Sequence, residues 1–299
     1  MHIPDGFLSA PVWGGLAVAA APAVAWASRR AGRDGAVSAP VMGVLGAFVF
    51  AAQMINFPVG QGASGHLVGG ALLTAVLGPA AATVVMTAIL AIQALVFQDG
   101  GLLALGANAF NMALAGVWLA AAVYRFLPAS QWAGAFAGGF VSVFAAAALC
   151  LGELALSGVR YPAGVMALSV AVFAVTAALE GVITASVLKA LEQMRPGWVR
   201  GGRAGSRPVL AALLVTAIVL ASAGFLVVSA APDGLERLAA EVGLEGKETV
   251  FFQSPLADYE AAAAAHPWIR KAAPGVIGLA LAYALIALLA RYGLRQRSA

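Results

Sequence analysis

The chain holds three histidines, His2, His66 and His266, and the first stands where its chemistry is special. The α-amine of Met1, the amide nitrogen between Met1 and His2, and the imidazole of His2 can close fused chelate rings around one metal ion. Three nitrogens in a plane leave one corner open, which His66 can fill. Square-planar nitrogen coordination favours Ni(II) or Cu(II), with Co(II) within reach by the order of affinities. The amide must lose its proton to bind, which disfavours Mg(II), Ca(II) and Mn(II). Spacing alone is a weak signal, because a second-position histidine is common by chance and two distant histidines need not meet. A surface histidine and a helix-start histidine are the ordinary alternatives.

The elements that must position these donors are membrane helices. Of 299 residues, 62% are hydrophobic and only 10% charged, with a mean hydropathy of +0.92, a balance outside the range of soluble domains. The 17 basic and 13 acidic side chains cannot cover a soluble fold, whereas a helical bundle in lipid needs few. A nucleic-acid partner is excluded as the main role: the basic pI near 9.6 records topology at the bilayer edges first. Cys150 stands alone, so an internal disulfide is impossible and a cysteine metal cluster implausible. The acidic, turn-prone start from Met1 to Gly6 does not resemble a signal peptide, and the expected mature terminus is Met1, retained because His2 behind it is bulky.

Windows of about 20 apolar residues suit a membrane crossing. They fall at 11–27, 37–57, 80–97, 102–126, 132–156 and 162–188, with two more at 209–230 and 273–289. Residues 66–77 form a shorter apolar run closed by Gly78-Pro79, and its status decides the topology. If it continued into the next window, Lys189, Arg195, Arg200, Arg203 and Arg207 would face the side opposite Arg29, Arg30 and Arg33, against the positive-inside rule. As a separate short crossing or re-entrant segment it sends those residues, with Arg125, Arg291, Arg295 and Arg297, to the cytoplasmic side. The expected fold is therefore an all-α integral membrane protein: a polytopic bundle with seven segments followed by a two-helix hairpin. The N-terminus, residues 58–65, 98–101 and the long loop 232–270 gather on the outer face.

The stretch from Glu192 to Pro208, rich in Arg, Gly and Pro, reads as a junction. It divides the chain into a metal-binding module at 1–191, a basic cytoplasmic linker at 192–208 and an accessory hairpin at 209–299. The outer loop of the hairpin carries seven acidic residues, and Pro232-Asp233-Gly234 has the character of a helix start.

Three groups of motifs resemble the CbiM/NikM family: Met1-His2-Ile3-Pro4-Asp5-Gly6-Phe7-Leu8; Ile55-Asn56-Phe57-Pro58 with Ser64-Gly65-His66-Leu67-Val68-Gly69-Gly70; and Gln98-Asp99-Gly100-Gly101-Leu102 through Gly106-Ala107-Asn108-Ala109-Phe110-Asn111-Met112. That family supplies the substrate-binding S components of nickel and cobalt energy-coupling-factor (ECF) transporters. The resemblance covers residues 1 to about 190. It implies that Met1, His2 and His66 are the metal ligands, with the N-terminal segment folded back as a plug. Pro232-Asp233-Gly234-Leu235-Glu236 and Ser254-Pro255-Leu256-Ala257-Asp258-Tyr259-Glu260 are similar to the accessory N component in the version usually paired with nickel. The loop around Pro58 to Ser64 departs from the pattern at Gln61.

Asp99, Asn108, Asn111, Ser64 and Gln93 fall near the outer helix ends and are candidates to orient the ligating imidazoles through their other ring nitrogen; capping and interhelical hydrogen bonds are the alternatives. Glu180 sits in the middle of an apolar window, where a carboxylate is a functional hypothesis by default. It could instead be a protonated, hydrogen-bonded group inside the bundle. Ala17, Ala21 and Ala25 form a small-residue face, and the resemblance suggests docking to a coupling protein there. His266, followed by Pro267 and Trp268, reads as an interfacial anchor.

The expected function is capture of Ni(II) from outside by a multi-pass component of the cell (inner) membrane, with the N-terminus extracytoplasmic. No resident cofactor is expected, and the metal is the cargo. No GxxxxGK[ST] loop is present, so the chain is read as a transport component and not an enzyme, with ATP hydrolysis in separate ECF ATPase subunits acting through a transmembrane coupling (T) component. The rival readings are a cobalt uptake component feeding cobalamin synthesis, an intramembrane metalloenzyme and a metal sensor.

Overall fold

The computed structural model describes residues 1–33, 37–201 and 206–295. Arg203 and Arg297 lie outside the described residues, as do the side chains of Arg33, Arg200 and Arg295. Seven described helices are long and apolar enough to cross a membrane. They are α1 (Ala10–Arg33), α4 (Pro79–Ile92), a composite of α5 (Leu105–Asn108) and α6 (Val117–Phe126), then α7 (Trp132–Leu156), α8 (Ala163–Met194), α10 (Arg207–Ala223) and α12 (Pro267–Arg295). π-helical turns extend α4 over Gln93–Phe97 and join α5 to α6 over Ala109–Gly116.

Two expected segments are shorter than their windows. The helix α2 (Ala39–Gln53) has 15 residues, about 23 Å of rise. It stops because Asn56–Gly60 and Ala63–His66 form an antiparallel hairpin, β1 and β2, with Asn56 paired to His66. Only Gly70–Leu77 of the short apolar run is helical, as α3. Gly69 at φ +78° and Gly78 at φ +79° bound it, left-handed backbone that glycine adopts without strain, so α3 is a separate short helix and not the start of α4.

Burial explains the arrangement. α2 is apolar on all sides and almost wholly buried, as a helix without a polar face must be. The hairpin of α10 and α12 covers it: Tyr283 lies over Gly43, Ile286 over Gly46, and Phe50 against Gly278. These glycines let neighbouring helices approach where lipid gives no hydrophobic drive. α7 and α8 meet the same way, since a Cβ on Gly139 would stand 2.8 Å from the Gly181 Cα. At the end of the bundle that carries Arg125, the short helix α9 (Trp198–Gly201) places Trp198 at 1% exposure against α3 and α8, so part of the linker is docked.

Candidate metal centre

The N-terminal segment folds back into the bundle because its polar groups find partners there. Asn108 clamps the Ile3 backbone, accepting from its N–H at 2.8 Å and donating to its carbonyl at 3.1 Å, while the Gly101 N–H donates to the same carbonyl at 2.9 Å. The Asp5 carboxylate accepts from the N–H groups of Leu102 at 2.8 Å and Ala104 at 3.0 Å. Those are the unpaired donors ahead of α5, where a negative group is favoured. Gly101 carries no Cβ because Asp5 fills that space. Ile3 is wholly buried, and Met1 and His2 are 7% exposed.

The plug brings the donors together. The Met1 amine lies 3.2 Å from Nε2 of His66, and the rings of His2 and His66 have centroids 5.3 Å apart. Nδ1 of His66 is 2.9 Å from the Leu67 carbonyl, which can only accept, so that nitrogen carries the proton and Nε2 the lone pair. Nδ1 of His2, the nitrogen that closes a chelate ring, is 3.3 Å from Oδ1 of Asp99, and Nε2 of His2 is buried with no partner among the described residues. Among the described residues, no three His, Cys, Asp or Glu side chains are grouped to hold an ion.

The C-terminal segment reaches into the same cluster. Asp233 caps α11 (Gly234–Val242) with Oδ1 in a reciprocal box with Glu236, and its Oδ2 lies 2.5 Å from the Met1 amine. Burial is the largest influence on the amine and pulls its pKa down, but the Asp233 charge, its hydrogen bond and the Asp99 charge together outweigh it and the pKa is raised. Burial would raise Asp233, yet the amine, with smaller contributions from His66 and the Glu236 N–H, holds it below the usual carboxylate range. Burial lowers His2 against the attraction of Asp99. Burial, then the charge of the amine and of His2, lower His66 to about 4, so both imidazoles are neutral; Nε2 of His66 offers its lone pair, while Nδ1 of His2 must give up the proton that faces Asp99.

Of the candidates to orient the imidazoles through their other ring nitrogen, only Asp99 touches one, and it does so at Nδ1 of His2, the chelating nitrogen itself. Its Oδ2 accepts from the Tyr259 hydroxyl at 2.7 Å, and burial followed by the Asp99 charge pushes that phenol well above its ordinary pKa. Gln93 stands one step further out, donating to Gln53 at 2.8 Å and to Tyr259. Asn108 holds the plug backbone instead. Ser64 holds the C-terminal segment, its N–H donating to the Pro232 carbonyl at 2.7 Å and its hydroxyl to that of Ala231 at 2.8 Å. Asn111 turns away and donates to Glu153 at 2.9 Å. Ala17 packs against Gly106, whereas Ala21 and Ala25 are exposed. His266 accepts from the Trp268 N–H at the start of α12. Asp233 and Tyr259 were missed as site residues; the only sequence signal was that each lies in a motif similar to the accessory component.

Above the cluster opens a cavity of about 580 Å³, lined by His2, His66, Asp99 and Asp233 and rimmed by Glu245 and Glu248, with no lysine or arginine among the described residues of its wall. Such a mouth concentrates cations.

Residues 2–198 match the family described as the cobalt uptake substrate-specific transmembrane region, CbiM. A protein of Archaeoglobus fulgidus that carries the name fused nickel transport protein NikMN is 34% identical over 98% of this chain and 99% of its own length. Cobalt transport protein CbiM of Streptomyces coelicolor is 34% identical over 66% of this chain and 90% of its own. The crystal structure of a truncated transition metal transporter superposes with a TM-score of 0.57 at 32% identity, covering 65% of this chain and 99% of that one. The first relative spans the C-terminal hairpin as well as the bundle, and the chain belongs to the CbiM family of nickel and cobalt transport components, in its fused form.

Proposed function

We propose that the chain captures Ni(II) for an energy-coupling-factor uptake system, with the Met1 amine, the His2 amide and imidazole, and the His66 imidazole as the four donors. The observation that carries this reading is the meeting of the Met1 amine with Nε2 of His66 at 3.2 Å, beside the ring of His2 and beneath an acidic cavity. Four nitrogens in a plane suit Ni(II), and the fused nickel relative supports nickel ahead of cobalt. Residues 1–191 form the capturing module, 192–208 the basic linker and 209–299 the accessory hairpin, whose loop closes over the plug. The cavity end faces outward across the cell membrane in this reading, because the positive-inside rule assigns the loops that carry Arg29, Arg30, Arg125, Lys189 and Arg207 to the cytoplasm. Separate ATPase subunits and a transmembrane coupling subunit supply the energy, docking in part on the exposed Ala21 and Ala25 of α1.

The test is uptake of radioactive nickel and cobalt by cells expressing the chain with its coupling and ATPase subunits. Wild type is compared with His2→Ala and with one alanine inserted after Met1, which keeps both imidazoles but changes the chelate rings. Loss of nickel uptake in both variants is expected. Full uptake with the insertion overturns the donor set, and a wild type that prefers cobalt overturns the choice of metal.

A further inference from the structure

Glu180 lies in the middle of α8 at 0% exposure. Its Oε2 accepts from the Val68 N–H at 2.7 Å and its Oε1 from the Gly69 N–H at 2.9 Å. Each oxygen accepts one main-chain N–H, a geometry that holds whether the carboxyl is ionised or protonated. Gly69 reaches it in the left-handed conformation, φ +78°, and the close approach of Gly139 to Gly181 fixes α8 at this level.

The Val68 N–H and the Leu67 carbonyl belong to one planar peptide unit. That carbonyl accepts the Nδ1 proton of His66 at 2.9 Å, and Nε2 of the same ring faces the Met1 amine. A continuous line therefore runs from the Glu180 carboxylate through the Leu67–Val68 peptide to the imidazole. A carboxylate on the N–H side polarises the peptide and makes its carbonyl a stronger acceptor. A stronger acceptor at Nδ1–H holds that tautomer and raises the donor strength of the other ring nitrogen, as carboxylates do when they contact a ligating histidine directly.

We infer that Glu180 is a positioning residue for His66, acting through the Leu67–Val68 peptide to fix the Nδ1–H tautomer and strengthen Nε2 as a metal donor. The inference rests on the capture reading above. A purely structural Glu180 would serve only the unpaired N–H groups ahead of α3, and the test separates the two roles.

Ni(II) is titrated into the purified full chain, comparing wild type, Glu180→Gln, His66→Ala and the double variant. Glu180→Gln is expected to bind nickel about tenfold more weakly, with the ligand-field absorption band of the bound ion moved to longer wavelength but distinct from that of His66→Ala. The double variant is expected to bind no more weakly than His66→Ala, because the effect of Glu180 passes through that ring. Unchanged affinity and band in Glu180→Gln, a band identical to that of His66→Ala, or additive losses in the double variant overturn the inference while leaving capture intact. If the Gln variant does not insert, NMR of metal-free wild type decides: an Nδ1–H proton of His66 shifted downfield of that of an imidazole bonded to an ordinary peptide carbonyl supports the inference, and an ordinary shift or a proton on Nε2 overturns it. A wild type that binds no nickel overturns the capture reading, and this inference with it.

Discussion

Oδ2 of Asp233 and the amine of Met1 are 2.5 Å apart although 232 positions separate them in the chain. Oδ1 of the same side chain is committed to the Leu235 and Glu236 N–H groups, so one residue both starts α11 and holds the plug. Asp233→Asn keeps the cap, since asparagine serves as well there, and removes the charge facing the amine. The closed plug should lose about 2 kcal/mol, which is roughly a 30-fold rise in its opening. Hydrogen exchange of residues 2–6, followed by mass spectrometry, reads this directly; unchanged exchange would show that the pair does not hold the plug.

Gly101→Ala places a methyl group where the Asp5 carboxylate lies. The helices do not depend on that contact, so the variant should insert with wild-type helicity by circular dichroism and yet lose nickel binding. Retained binding would mean that the plug has a second way to close.

Tyr259→Phe keeps the ring stacked on Phe97, 4.6 Å between centroids, but removes the hydroxyl that donates to Asp99. Asp99 then draws more strongly on the proton of His2 at Nδ1, with which the metal competes. Nickel affinity should fall by about fivefold, the worth of one hydrogen bond of about 1 kcal/mol. Titration calorimetry checks it, and an affinity equal to wild type would detach Tyr259 from the site.

Gly139→Leu overfills the contact between α7 and α8, where the Gly181 backbone leaves no room for a side chain. Overpacking of this kind costs about 1–3 kcal/mol, so the thermal unfolding midpoint in detergent should drop. A midpoint at or above that of wild type would mean that the two helices separate without loss.

His2, His66 and Asp99 were legible as one cluster because charge asymmetry fixed the topology, and topology put their loops at one end. Asp233 was not, because its motif says that a helix starts there and nothing about what the free oxygen of the cap will face. Asn111 was misread for a different reason. It is three residues from Asn108, which on a regular helix would share its face, but the π-helical turn from Ala109 to Gly116 shifts the phase. Asn108 then meets the plug and Asn111 meets Glu153. The hairpin of β1 and β2 escaped notice because it is short, polar and paired over only a few residues, with none of the alternation that marks a strand.

The pair of Asp233 and the Met1 amine has a consequence for charge stoichiometry on the proposed donor set. Without metal, the ammonium group gives the nitrogen cluster one positive charge, and Asp233 balances it. With Ni(II) bound, the amine is neutral and the amide carries a negative charge, so two positive charges less one again leave one. The ion and the two protons that it displaces are then electrically interchangeable to Asp233, and the charge that faces this carboxylate is the same in both states. A divalent ion that cannot ionise the amide would bring a surplus positive charge into the same space, which makes the N-terminal amide a filter on the kind of metal admitted.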